Sequence, residues 1–231
     1  MVVWGLAVRS APNAGGPRSK AKQLGVRKCL IGSLQGTLGT VQEVDLGISR
    51  GQLFPGDPKR VAVLLPGAGY LPAAPLLWFA REALQTDGWT VLQVWDEWDR
   101  AEDAARWVTD RYDAAITFIG AVPTRLIVAK SLTTLAIPDS ADQGIPGVWL
   151  TPLLAEAKVR TTLEASTVPT LLIGGTADAT WDTELVHVLE TAEALEIEGA
   201  DHSLQFPGDP RSSIDALMVI TDRIRGFAEK L

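Results

Sequence analysis

From residue 60 onward, short continuous apolar runs alternate with amphipathic stretches of helical spacing, and this alternation leaves few folds open. The strand-like runs fall at 61–65, 90–95, 125–129, 148–150, 170–173 and 194–197, and the first, Val61–Leu65, is continuously apolar, as a strand buried on both faces should look. Between them, residues 72–86 have helical spacing and stop at Asp87-Gly88. Residues 101–112 read as a helix with Glu102 and Asp103 in its first turn, and 183–189 as a short helix capped by Asp182. Residues 209–230 close the chain as an amphipathic helix, with Ile214, Leu217, Met218, Ile224 and Phe227 near one face. Such an order predicts an α/β three-layer sandwich, a mostly parallel sheet with helices on both faces.

The first 59 residues differ. They are glycine-rich and strand-prone at 2–8, 29–34 and 40–46, with a proline-, glycine- and lysine-bearing surface loop at 10–22 and turn chemistry over 53–60. At 231 residues and 46% hydrophobic content, the chain can bury one sizeable core, so we expect a single domain over 1–231. A formal net charge of −7 without a basic block argues against nucleic acid as a partner. No apolar run approaches the roughly 20 residues that a bilayer requires, and none has the flanks of a signal peptide, so no membrane partner and a cytoplasmic location are expected. Cys29 is the only cysteine, which rules out an intramolecular disulfide, and it reads as a small apolar residue. The two histidines and Cys29 lie far apart in sequence, so no metal site is expected.

In parallel sheets ligands bind beyond the carboxyl ends of the strands, so the residues that follow each run carry the functional argument. After 61–65 comes Pro66-Gly67-Ala68-Gly69-Tyr70, small residues whose amides can face a ligand, or an ordinary strand-to-helix turn. It lacks the Gly-Lys-Ser/Thr of a phosphate-binding loop and the full glycine pattern of a dinucleotide site. After 125–129 comes Lys130-Ser131-Leu132-Thr133-Thr134, in which Ser131 can be a nucleophile on a sharp strand-to-helix turn or a helix N-cap. After 170–173 comes Gly174-Gly175-Thr176-Ala177-Asp178, in which Asp178 can orient a histidine or serve a turn. After the last run comes Gly199-Ala200-Asp201-His202-Ser203, which presents histidine, the side chain suited to proton exchange near neutral pH. His187, within Leu185-Val186-His187-Val188-Leu189, reads as a helix-face residue.

Serine, acid and histidine thus follow successive strands in that order, and over residues 60–231 the chain resembles the α/β-hydrolases, specifically their compact, dienelactone-hydrolase-like members. The blocks that carry the resemblance are Leu64-Leu65-Pro66-Gly67-Ala68-Gly69, Ala129-Lys130-Ser131-Leu132-Thr133, Gly174-Gly175-Thr176-Ala177-Asp178 and Gly199-Ala200-Asp201-His202-Ser203. The resemblance implies Ser131 as nucleophile, His202 as general base and Asp178 as the residue orienting it. It also implies an oxyanion hole from the backbone N–H groups of Leu132 and Ala68, with Gly69 as the neighbouring candidate, and it requires no cofactor. The sequence departs from the family at three points. Pro66 stands where many relatives carry histidine, and Ala129 and Thr133 replace the two glycines of Gly-x-Ser-x-Gly.

Forty-seven residues separate Ser131 from Asp178 and 24 separate Asp178 from His202, which leaves no room for a large lid. The expected rim is Tyr70, Trp95, Thr151, Pro152, Leu153 and Trp181. The leading expectation is a serine hydrolase acting on a small, mostly apolar ester, thioester or amide. A second reading, motivated by Ala129 and Thr133, is a catalytically weak or inactive member of the same fold that binds a small molecule or a protein. A third, a nucleotide-binding domain, rests on Pro66-Gly67-Ala68-Gly69 alone.

Overall fold

The computed structural model describes residues 40–231. The expected strands at 2–8 and 29–34, the loop at 10–22 and Cys29 therefore lie outside the described residues. The elements run β1 (Gln42–Asp45), β2 (Arg50–Phe54), β3 (Asp57–Leu65), α1 (Pro75–Thr86), β4 (Trp89–Trp95), α2 (Ala104–Ile119), β5 (Thr124–Lys130), a 3-10 segment (Ser131–Ala136), α3 (Ile137–Asp142), β6 (Gly147–Leu150), α4 (Ala157–Ala165), β7 (Thr170–Gly175), α5 (Thr183–Val188), β8 (Ala192–Ile197) and α6 (Pro210–Ala228).

The eight strands form one open sheet in the order β1-β2-β4-β3-β5-β6-β7-β8. β1 and β2 are antiparallel to their neighbours, and every pair from β4 to β8 is parallel. Alternate residues of each central strand serve opposite faces. On β3, Val61, Val63 and Leu65 pack with Trp107, Val108 and Tyr112 of α2, while Ala62 and Leu64 pack with Leu76, Leu77 and Leu84 of α1 and Ile220 and Ile224 of α6. The α3, α4 and α5 side chains join the first of these layers. After β3 the chain crosses to β4 by α1 on one face, and after β4 it returns past β3 to β5 by α2 on the other. The loops leaving β3 and β5 therefore lead to opposite sides of the sheet, and the strand carboxyl ends between them are the place where such sheets bind ligands.

Several expectations need correction. Residues 53–60 are turn only at Pro55-Gly56, because Phe54 ends β2 and Asp57 begins β3. Asp103 is the N-cap of α2, accepting from Arg106 N–H at 2.9 Å, so neither it nor Glu102 lies in the first turn. On α6 the buried stripe is Ala216, Ile220, Ile224, Phe227 and Ala228, whereas Ile214 and Met218 are each 62% exposed. No helix among the described residues is long and apolar enough to cross a membrane.

Candidate active site

β5 runs buried to Lys130 in extended conformation, and the chain then turns abruptly at Ser131, whose φ of 53° lies in the left-handed region that a side chain ordinarily avoids. Ser131 is the first residue of the 3-10 segment and Lys130 its N-cap, so the serine is free of the capping role that its sequence context allowed. The bend is crowded. Ala129 is fully buried between Leu65 of β3 and Trp149 of β6. Thr133, 1% exposed, accepts from the Lys130 N–H at 3.2 Å, and its hydroxyl lies 3.2 Å from both the Leu65 and the Lys130 carbonyl oxygens. The side chain that replaces an elbow glycine thus satisfies the backbone it crowds.

Ser131 Oγ lies 2.7 Å from His202 Nε2, and His202 Nδ1 lies 2.7 Å from Asp178 Oδ2. A carboxylate can only accept, so Nδ1 carries a proton, and in the neutral imidazole the lone pair of Nε2 then faces the serine hydroxyl. The Asp178 side chain is 2% exposed, and its second oxygen accepts from the Thr180 N–H at 2.8 Å and the Thr180 hydroxyl at 2.9 Å. Both carboxylate oxygens are therefore anchored, and the imidazole, 41% exposed, is oriented from its buried side. Asp201 shapes the histidine's loop, its carboxylate accepting from the N–H groups of Ser203 and Gln205 at 2.8 and 3.1 Å.

Beside the serine, Gly67 and Tyr70 exchange backbone hydrogen bonds at 3.0 and 3.1 Å. This small bridge projects Ala68 and Gly69 outward, both exposed, and neither N–H is bonded among the described residues. The Leu132 N–H belongs to the first turn of the 3-10 segment, where N–H groups have no intrahelical acceptor.

No family model matches the chain, and no curated protein matches it. Solved structures do. Est1E from Butyrivibrio proteoclasticus superposes with a TM-score of 0.64 at 13% identity, covering 83% of this chain and 98% of its own. Dienelactone hydrolase from Anabaena variabilis gives 0.64 at 18% identity, covering 81% and 95%. A serine hydrolase without a lid from Xanthomonas campestris gives 0.62 at 15% identity, covering 84% and 97%. The chain has the α/β-hydrolase fold.

On this α/β-hydrolase scaffold the expected rim residues separate into two groups. Tyr70, Trp95 and Leu153 are partly exposed at the strand ends. Thr151 and Pro152 are buried instead, and Thr151 accepts a 2.6 Å hydrogen bond from Lys130 Nζ. Trp181 is partly exposed too, packs against the core and donates to Glu196 of β8 at 2.7 Å. A cleft of about 570 Å³ opens farther out, between the β1–β2 turn and the end of β4. It is lined by Asp45, Asp96 and Glu97 together with Ile48, Leu71 and Trp95, and neither Ser131 nor His202 reaches it. His187 lies on α5 and bonds Glu196 at 3.0 Å, away from the serine. Among the described residues no cluster of histidine, cysteine and carboxylates could hold a metal.

Sequence reasoning missed Thr180 and Lys130. The signal for Thr180 was present, since Asp-x-Thr is a common turn in which the aspartate accepts from the residue two positions on. Lys130 gave none, because a lysine closing an apolar run reads as the strand's solvent end.

Proposed function

We propose that this chain is a serine hydrolase that cleaves a small ester, thioester or amide through an acyl-enzyme on Ser131. The observation that carries the reading is the unbroken line of hydrogen bonds from Ser131 Oγ to His202 to Asp178, each 2.7 Å long. The serine hydroxyl is a weak nucleophile unaided. As Oγ attacks the substrate carbonyl carbon, its proton passes to His202 Nε2, and Asp178 stabilises the imidazolium that forms. The carbonyl oxygen becomes an oxyanion, met by the N–H groups of Leu132 and of Ala68 or Gly69. Each such donor contributes about 3 kcal/mol of transition-state stabilisation. The imidazolium returns the proton to the leaving group, and water, deprotonated by the same imidazole, releases the acid and restores Oγ–H. Nucleophile, base and oxyanion donors are all protein groups, so the reaction needs no cofactor.

The names of the structural neighbours agree with this chemistry. They include Est1E with ferulic acid bound, a dienelactone hydrolase and an esterase from Pyrococcus furiosus. The half-exposed imidazole of His202 leaves the relay open to solvent on one side, which is compatible with a small acyl or alcohol group. The alternative is a binding module with an inactive elbow. The hydrogen bonds of Thr133 argue against it, because the threonine is accommodated without displacing Ser131 from His202. Incubation with a fluorophosphonate and intact-mass spectrometry tests the choice. A single adduct on the wild type that is absent from Ser131→Ala is expected, whereas no adduct on folded wild type would favour the binding module.

A further inference from the structure

The relay does not account for Lys130. It closes β5 directly before the nucleophile, yet only 1% of it is exposed. Its stem lies along the loop that follows β3, where a Cβ on Gly67 would stand 3.2 Å from Lys130 Cγ. In the same loop the Tyr70 ring centroid is 5.1 Å from Nζ. The ammonium donates to Thr151 Oγ1 at 2.6 Å, after β6, and to the backbone carbonyl of His202 at 2.8 Å, after β8. One side chain therefore joins the loops of three strands, and one of its bonds is made to the histidine itself.

A buried cation is an unfavourable way to fill this space. Burial pulls the Lys130 pKa down to about 8, against the opposing pull of the Asp178 and Asp201 carboxylates. An apolar chain of the same length would carry no desolvation penalty. What the ammonium adds, and an apolar chain cannot, is a fixed donor on the backbone of His202. Thr151, which it bonds, at φ 45° and Ser131, which follows it in the chain, at φ 53° both sit in the left-handed region and depend on neighbours to keep them there.

We propose that Lys130 is a positioning residue, holding the His202 carbonyl so that the imidazole stays in line between Ser131 and Asp178. The proposal rests on reading Ser131 and His202 as nucleophile and base, and it is tested by two separable measurements. The first needs no reaction. The His202 Nδ1 proton, held against a carboxylate at 2.7 Å, gives a strongly deshielded NMR resonance, assigned by its disappearance in His202→Ala. That resonance is expected in the wild type and lost or exchange-broadened in Lys130→Met, which keeps the side chain's length without its donors. Lys130→Gln, too short to reach the His202 carbonyl, gives the same result and serves if the methionine variant does not fold. The second measurement is turnover of a short-chain ester: kcat is expected to fall at least tenfold, about 1.4 kcal/mol, with KM little changed. A merely space-filling lysine would leave both unaltered. Retention of the resonance in a folded Lys130 variant, or its absence from the wild type, overturns the proposal. A wild type that shows the Lys130-dependent resonance but neither turns over esters nor takes the fluorophosphonate overturns the hydrolase reading and leaves the positioning role standing.

Discussion

Gly175, the last residue of β7, lies against the backbone of Ala200. A Cβ placed on it would stand 2.1 Å from the Ala200 carbonyl oxygen and 2.6 Å from the carbonyl carbon. Real Cβ contacts do not fall below 3.0 Å, so Gly175→Ala must open a 2.1 Å approach by about 0.9 Å. The obstacle is backbone on both sides and has no rotamer to change. The same carbonyl accepts from the Ala177 N–H at 3.1 Å, and Asp178 and His202 follow directly on the two strands of chain that would separate. The displacement therefore falls on the His202–Asp178 pair. Misplacing reacting groups by about 1 Å costs roughly 100-fold in rate, and that is the expected loss in fluorophosphonate labelling, followed by intact mass against time. The crowding itself should destabilise by about 1–3 kcal/mol. For a domain of this size each kcal/mol lowers Tm by about 2–4 °C, so a folded variant with a modestly reduced Tm is expected. Gly226→Ala is the control: nothing lies within 4 Å of its added Cβ and it sits within α6, so labelling should be unchanged. A wild-type labelling rate in Gly175→Ala would refute the close approach as the device that holds histidine to aspartate.

Two further outcomes follow from the elbow. Thr133→Val keeps the volume but removes the hydroxyl, which leaves the buried Lys130 N–H without its acceptor. A loss of about 1–3 kcal/mol is expected, read as a lower Tm, and an unchanged melt would show that the hydroxyl is not what admits threonine there. The buried ammonium of Lys130 also gives stability a pH dependence of known sign. Its pKa falls from 10.5 to about 8 on folding, so between these values the unfolded chain binds more protons and the folded state gains stability as pH rises. Relative to Lys130→Met, the wild type should gain on the order of 3 kcal/mol at most across that window, measured by urea unfolding at each pH. Parallel pH profiles for the two proteins would contradict it.

The buried stretches of β3 to β7 were legible because a strand covered on both faces is apolar along most of its length, while β8, an edge strand that carries Glu193 and Glu196, showed only a short run at 194–197. β2 was not, since Arg50–Phe54 is short, lies beyond the parallel core and runs into Pro55-Gly56, which reads as turn. The α6 face was misjudged for a different reason. Choosing the largest apolar residues selects Ile214 and Met218, yet the buried stripe takes in the small Ala216 and Ala228 beside Ile220, Ile224 and Phe227. Ser131, Asp178 and His202 could be read from their strand-end positions and their order. Their mutual distances could not.

That gap is physical. β5 and β8 are three strands apart in the sheet, which at about 4.8 Å per strand is some 14 Å between the carboxyl ends that carry Ser131 and His202. A histidine placed at the end of its own strand would never reach the serine, so the chain after Ile197 must fold back across β7 and β6. Two features far apart in sequence permit that return. Gly175 has no side chain where Ala200 crosses it, and Lys130 reaches up from β5 to take the His202 carbonyl at the end of the path. Neither reads as functional alone: one is a glycine ending a strand, the other a lysine doing the same. Their meaning depends on the strand order, which fixes how far the histidine must travel.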